Sequence, residues 1–240
     1  MRIRISDTVA ETGQLMRRFG VSLYIDFLAV GLFATTVQSL VAPASLQPNT
    51  GASQRSILEL FLDPFVIFHE TLFTVVMAAA CLRIWARLDP GARLSDAQLW
   101  GNLLPLAVLN FAIGLATFYA LALFVVPGLL LSALFTALIP VIVLEDKGWD
   151  ALPRTMALTR GSLMRLTALW AMLLIPWIIL SIAMDPSGRI LPDASAFDVW
   201  RAHIFADLHA PLMAAIATCL TLSCYRQMLD KEQADADVFR

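Results

Sequence analysis

Charge is scarce in this chain, and one stretch has none: residues 103–144 pass without an Asp, Glu, Lys or Arg, a run of 42. Charged residues make up 15% of the whole sequence, against about 25% in ordinary soluble domains. That shortage excludes a chain wrapped in a polar shell. Cysteine is scarce as well. Cys81, Cys219 and Cys224 are an odd number, and the last two do not have the spacing of a zinc site. Each falls near a helix end expected in the cytoplasm, where thiols stay reduced, so small apolar packing is their expected role. Glycine-rich phosphate loops and the Gly-x-Ser-x-Gly turn of serine hydrolases are missing. The string His69-Glu70-Thr71-Leu72-Phe73 lacks the second histidine of the zinc-protease motif. No basic, aromatic-rich surface points to nucleic acid. The sequence therefore leads us to expect no catalytic set, no metal and no cofactor.

What is abundant is apolar surface, with 59% hydrophobic residues and a mean hydropathy of +0.73. As a helix, the uncharged run would extend about 60 Å, twice the ~30 Å hydrocarbon core of a bilayer. Two antiparallel spans are expected, with Pro127-Gly128 as the break between them. Over the full 240 residues hydropathy gives an all-α, polytopic membrane bundle, a single integral domain over 1–240. Its six transmembrane helices lie near 19–41, 63–82, 103–125, 129–144, 166–184 and 205–224. Ala42-Pro43-Ala44 has the pattern of a signal-cleavage site. The apolar run before it contains Asp26 and exceeds the ~7–15 residues of a signal core, so it is expected to remain as a span.

Basic residues set the expected orientation. Fourteen of 17 fall in the N-terminal segment, the segments between spans two and three and between four and five, and the C-terminal tail; only Arg55, Arg189 and Arg201 fall opposite. The positive-inside rule then places both termini in the cytoplasm. Each outward-going span is preceded by an amphipathic stretch: residues 6–18, a helix start at Ser95-Asp96-Ala97-Gln98, and residues 149–166. In the last, Trp149, Leu152, Met156 and Leu163 share a face opposite Arg154 and Arg165, while Leu158 breaks the pattern. These stretches are expected as interfacial helices in the cytoplasmic headgroup layer. Gly128, Ser132, Thr136 and Pro140 recur every four residues in the fourth span. They form a small-residue stripe suited to helix packing or to a polar path.

The block from Pro127-Gly128 through Pro140-Val141 to Glu145-Asp146-Lys147-Gly148, with Leu152-Pro153-Arg154-Thr155 and Leu158-Thr159-Arg160-Gly161 after it, resembles the signature of the YciC-like family of bacterial inner-membrane proteins. It is also similar to the membrane domain attached to some glycerophosphodiester phosphodiesterases. The likeness covers residues 94–174, about a third of the chain. It implies a multi-span inner-membrane protein without defined catalytic residues, since in the phosphodiesterases the chemistry is expected in a separate soluble domain.

Ionisable groups in a bilayer are costly and need a reason. Asp26 lies in the first span and His69-Glu70 near the middle of the second, with Asp63 and Thr74 on the face of Glu70 at helical spacing. Asn110 of the third span, and His203 and Asp207 at the outer end of the sixth, would join them if the helices are neighbours. The candidate intramembrane cluster is therefore Asp26, Asp63, His69, Glu70 and Asn110. It supports two readings: a hydrogen-bonded lock between helices, or a proton- or cation-linked path. The function expected is a non-enzymatic role in membrane or envelope homeostasis, with the bilayer and other membrane proteins as partners. The alternative is a small transporter or lipid-handling protein that uses the cluster.

Overall fold

The first helix, α1 (Ile5–Val41), has 37 residues and is about 55 Å long, longer than a bilayer core is thick. The computed structural model containing it describes residues 3–41, 63–91, 96–184, 195, 197 and 208–238, with the side chains of 181–184, 235 and 238 left undescribed. Along α1 lies α9 (His209–Val238). Thr8 Oγ1 donates to Gln227 Oε1 (3.1 Å), Thr12 Oγ1 to Ser223 Oγ (3.3 Å), Arg226 Nη1 to Glu11 Oε1 (3.2 Å), and Tyr24 Oη to the Leu208 carbonyl (3.4 Å). Partner numbers rise on one helix as they fall on the other, so the pair is antiparallel. The beginning of α1 and the end of α9 therefore share one end of the bundle. The expected interfacial helix at 6–18 is instead the first part of α1. Its inward positions Thr8 and Leu15 are buried, and it bonds to α9 through Thr8 and Thr12.

Between these two run α2 (Pro64–Leu88), α3 (Asp96–Gly101), α4 (Leu103–Leu123), α5 (Val125–Leu134), α6 (Leu138–Leu144), α7 (Ala151–Thr159) and α8 (Leu163–Met184). No strand occurs among the described residues. Six segments are long and apolar enough to cross a membrane: α1, α2, α4, the broken α5–α6 unit, α8 and α9. The chain is an all-α, multi-span membrane protein. Asn102 lies between α3 and α4, and Ser95, the expected cap of α3, lies outside the described residues.

The break in the uncharged run lies earlier than Pro127-Gly128. Helix α4 stops at Leu123, Phe124 is extended (φ −151°, ψ 122°), and Pro127 sits in the first turn of α5. A proline ring collides with the carbonyl four residues before it, here Leu123, while its missing N–H is harmless in a first turn. The proline thus ends one helix and opens the next. Gly128 permits the closure. A Cβ there would stand 2.3 Å from Leu121 Cγ and 2.6 Å from the Leu121 main-chain nitrogen.

Helix α6 is the centre of the packing, with Leu138 to Val143 buried without interruption. Around it lie Leu106, Leu166, Leu222 and Tyr225, also buried. Arg154 of α7 ties this end together. It meets Glu145 after α6 (Nε–Oε2 2.8 Å) and Glu232 of α9 (Nη1–Oε1 2.6 Å, Nη2–Oε2 2.7 Å), and Tyr225 Oη donates to Glu145 Oε1 (3.1 Å). Hydrogen bonds to Glu232, then Glu145, hold the guanidinium pKa above its ordinary value. Asp146 takes a left-handed φ of 54° and accepts a hydrogen bond from Asn102 Nδ2. The Glu145-Asp146 pair therefore closes the turn rather than facing a site.

Helix α7 packs inward through the side opposite part of its expected apolar face. Ala151, Thr155, Leu158 and Thr159 are buried, whereas Trp149 (53%) and Met156 (46%) are exposed. Leu158, the residue that breaks the amphipathic pattern, is the one that packs. The Trp149/Met156 stripe points away from the protein, as an interfacial helix would present it to lipid. Cys81, Cys219 and Cys224 are buried free thiols, in keeping with packing.

Candidate functional site

Three helices present stripes to a common space. From α2 come Glu70, Thr74 and Met77, at intervals of four and three residues. From α4 come Ala107, Asn110, Gly114 and Phe118, and from α8 Trp170, Leu174 and Trp177. Such spacing places each set on one helical face. With Ser132 and Thr136 from the α5–α6 unit and Thr221 from α9, they enclose a cavity of about 510 Å³, within the size range of small-molecule sites.

The polar wall is organised by two contacts. Asn110 Nδ2 donates to Thr74 Oγ1 (2.8 Å), and Thr74 Oγ1 donates to the Glu70 carbonyl (2.7 Å). Across the cavity Trp170 Nε1 donates to Thr136 Oγ1 (2.6 Å), which donates to the carbonyls of Ala133 (2.9 Å) and Ser132 (3.1 Å). These bonds hold α2 to α4 and α8 to the α5–α6 unit, and so fix the walls. One turn beyond the Asn110–Thr74 contact, in opposite chain directions, lie Gly114 and Glu70. A Cβ on Gly114 would meet no atom within 4 Å. The side chain of Glu70 is accessible along the cavity wall, and its carboxylate has no hydrogen-bond or ion-pair partner among the described residues. Trp177 Nε1, also on the wall, is buried without a hydrogen-bond partner among the described residues.

The five candidate residues do not form one cluster. Glu70 and Asn110 share the cavity. Asp63 lies at the start of α2 as its N-cap, accepting from the Phe65 amide at 2.9 Å; an Asp before Pro64 suits this position better than an inward one. Asp26 pairs with Arg83 at 2.7 Å, about 20 Å along α2 from Glu70 at 1.5 Å per residue. His69, one residue from Glu70, is turned by about 100° around the helix. It packs edge-on against Phe73 (ring centroids 4.6 Å apart) and lines a separate small crevice with Gly31, Thr35 and Ala210. Glu70 is also not at mid-helix. Because α2 continues to Leu88, Glu70 lies within its first two turns. His203 and Asp207 lie outside the described residues.

Ser132 and Thr136 of the small-residue stripe face the cavity, while Gly128 serves close packing. Sequence reasoning missed Trp170, Trp177 and Phe118. The available signal was two tryptophans seven residues apart within a span, although tryptophan concentrates at membrane interfaces. Comparison with known protein families, curated proteins and solved structures gives no match to this chain.

Proposed function

We propose that this is a membrane-embedded carrier or binding protein for a small, largely apolar ligand. It serves membrane homeostasis by holding that ligand between α2, α4 and α8 rather than by transforming it. The observation that carries the reading is Glu70, an exposed residue in the wall of a 510 Å³ cavity whose carboxylate has no hydrogen bond or ion pair among the described residues. A rigid helical lock would consume its polar groups in helix-to-helix contacts, as Asn110 and Thr74 do. A charge on a membrane-facing segment is expensive without a function. Within this proposal the protein resides in a bacterial inner membrane with both termini in the cytoplasm. The 14-to-3 division of basic residues and the resemblance of residues 127–161 to YciC-like proteins support that placement.

The test is thermal stabilisation of purified protein by a panel of amphiphiles with cationic, neutral and anionic heads, run on wild type and on Gly114→Trp. A Cβ at Gly114 would meet no atom within 4 Å, so a larger side chain there starts into open space on the cavity wall. A ligand that binds only the folded state raises stability in a saturable way. At least one class should stabilise wild type and fail on Gly114→Trp. A panel that shifts both proteins equally, or neither, would end the proposal.

A further inference from the structure

Resting on that binding reading, we infer that the ligand is a lipophilic organic cation, an amine or quaternary onium group on an apolar body, held by Glu70. The charge inventory of the wall is one-sided. Among the described lining residues Glu70 is the only ionisable one, and no Lys, Arg or His accompanies it. The nearest histidine, His69, lines the other crevice. Arg83, on the same helix, is about 20 Å away at helical rise and paired with Asp26. A carboxylate with no hydrogen bond or ion pair among the described residues, and with only the adjacent His69 interacting with it through charge, favours a cation entering beside it, because opposite charges attract strongly where water is sparse. An anionic headgroup would find repulsion there and no cationic side chain among the described lining residues to offset it.

The rest of the wall fits the same chemistry. Phe111, Phe118, Phe135, Trp170 and Trp177 supply aromatic surface, and the faces of such rings attract organic cations, tryptophan most of all. Hydroxyls of Ser132 and Thr136 donate to main-chain carbonyls, so they do not compete for the carboxylate. An apolar body would lie against the rings while the cationic centre sits near Glu70. Selectivity then comes from charge sign more than from shape.

Tetraphenylphosphonium and tetraphenylborate separate these terms, since they match in size and shape and differ in sign. Saturable binding to detergent-solubilised full-length protein would be measured for both, with triphenylphosphine oxide as the neutral control. Wild type should bind the phosphonium and discriminate against the borate and the oxide. Glu70→Gln, which keeps shape and hydrogen-bonding capacity, should weaken phosphonium binding by about 10- to 100-fold, the scale of one charge pair at an intermediate dielectric. Glu70→Asp should retain most of it, which guards against a folding artefact, and Gly114→Trp should remove it. Equal or stronger binding of the borate or the oxide, blocked by Gly114→Trp, would overturn the cation assignment and leave the cavity reading standing. An unchanged phosphonium affinity in a folded Glu70→Gln protein would overturn the assignment too. Absence of any binding that Gly114→Trp abolishes would overturn both.

Discussion

Replacing Gly128 with alanine adds a single methyl group at the tightest point of the α4–α5 hairpin. The new Cβ would stand 2.3 Å from Leu121 Cγ, 2.6 Å from Leu121 Cδ2 and 2.6 Å from the Leu121 nitrogen. The leucine side chain can rotate away, but the nitrogen belongs to the backbone of α4. Reaching ordinary contact at 3.4 Å requires the two helices to part by about 0.8 Å at that point. Overpacking of this kind costs about 1–3 kcal/mol. A main-chain clash belongs at the upper end, because rotamer change cannot relieve it. Alanine returns about 1 kcal/mol through its better helix propensity, leaving a net loss of about 2 kcal/mol. Reversible unfolding in mixed micelles, followed by circular dichroism, would measure it. Combining Gly128→Ala with Leu121→Ala removes the side-chain part of the clash and leaves the main-chain part, so the double variant should recover less than the sum of the single effects implies for full relief. Wild-type stability of Gly128→Ala, or complete rescue by Leu121→Ala, would refute the argument that backbone approach selects glycine here.

Other predictions follow from the polar contacts. Arg154→Met should destabilise the bundle by about 1–3 kcal/mol in the same unfolding assay, because Glu145, only 16% exposed, loses its partner. Arg154→Lys should fall between, since an ammonium cannot reproduce the forked contact to two carboxylates. Thr74→Val should cost about 1–3 kcal/mol in the unfolding assay by stranding the Asn110 amide. Reporter fusions to the two termini should give the same cytoplasmic signal, because α1 and α9 are antiparallel neighbours whose outer ends coincide and the basic residues concentrate there; a periplasmic signal from either end would contradict that orientation.

The spans were legible in the sequence because hydropathy and helix length answer a question the bilayer poses with a fixed thickness. The faces of the helices were not. Lipid is as apolar as a protein core, so periodicity cannot tell a side chain that packs on a neighbour from one that packs on acyl chains. Leu158 therefore looked misplaced on α7 although it is buried, and Trp170 and Trp177 passed as span filler although they wall the cavity. Polar residues were better guides, since each needs a partner. Asn110, Thr74 and Glu70 line one cavity, and the Asn110–Thr74 bond joins their two helices. Asp63 and Asp26 were misassigned to the same group. The Asp63-Pro64 pair at the start of the expected span was itself a readable cap signal, whereas helical spacing carried no information that Arg83 of a neighbouring helix reaches Asp26. The position of the hairpin break was readable in principle from the proline's clash with the fourth residue before it, a rule that points to Leu123 rather than to the proline itself.

The central claim is that Glu70 borders an open cavity between helices rather than a packed interface. It is tested most directly by a nitroxide at position 70, attached to Glu70→Cys in a background where Cys81, Cys219 and Cys224 are replaced by alanine. Electron paramagnetic resonance of the reconstituted protein should show a mobile label that collides freely with oxygen, because the space beside Glu70 and Gly114 is unfilled. Introducing Gly114→Trp should immobilise the label and lower its collision rate. A label already immobile in the wild-type background, or one indifferent to the tryptophan, would contradict the cavity and every functional reading built on it.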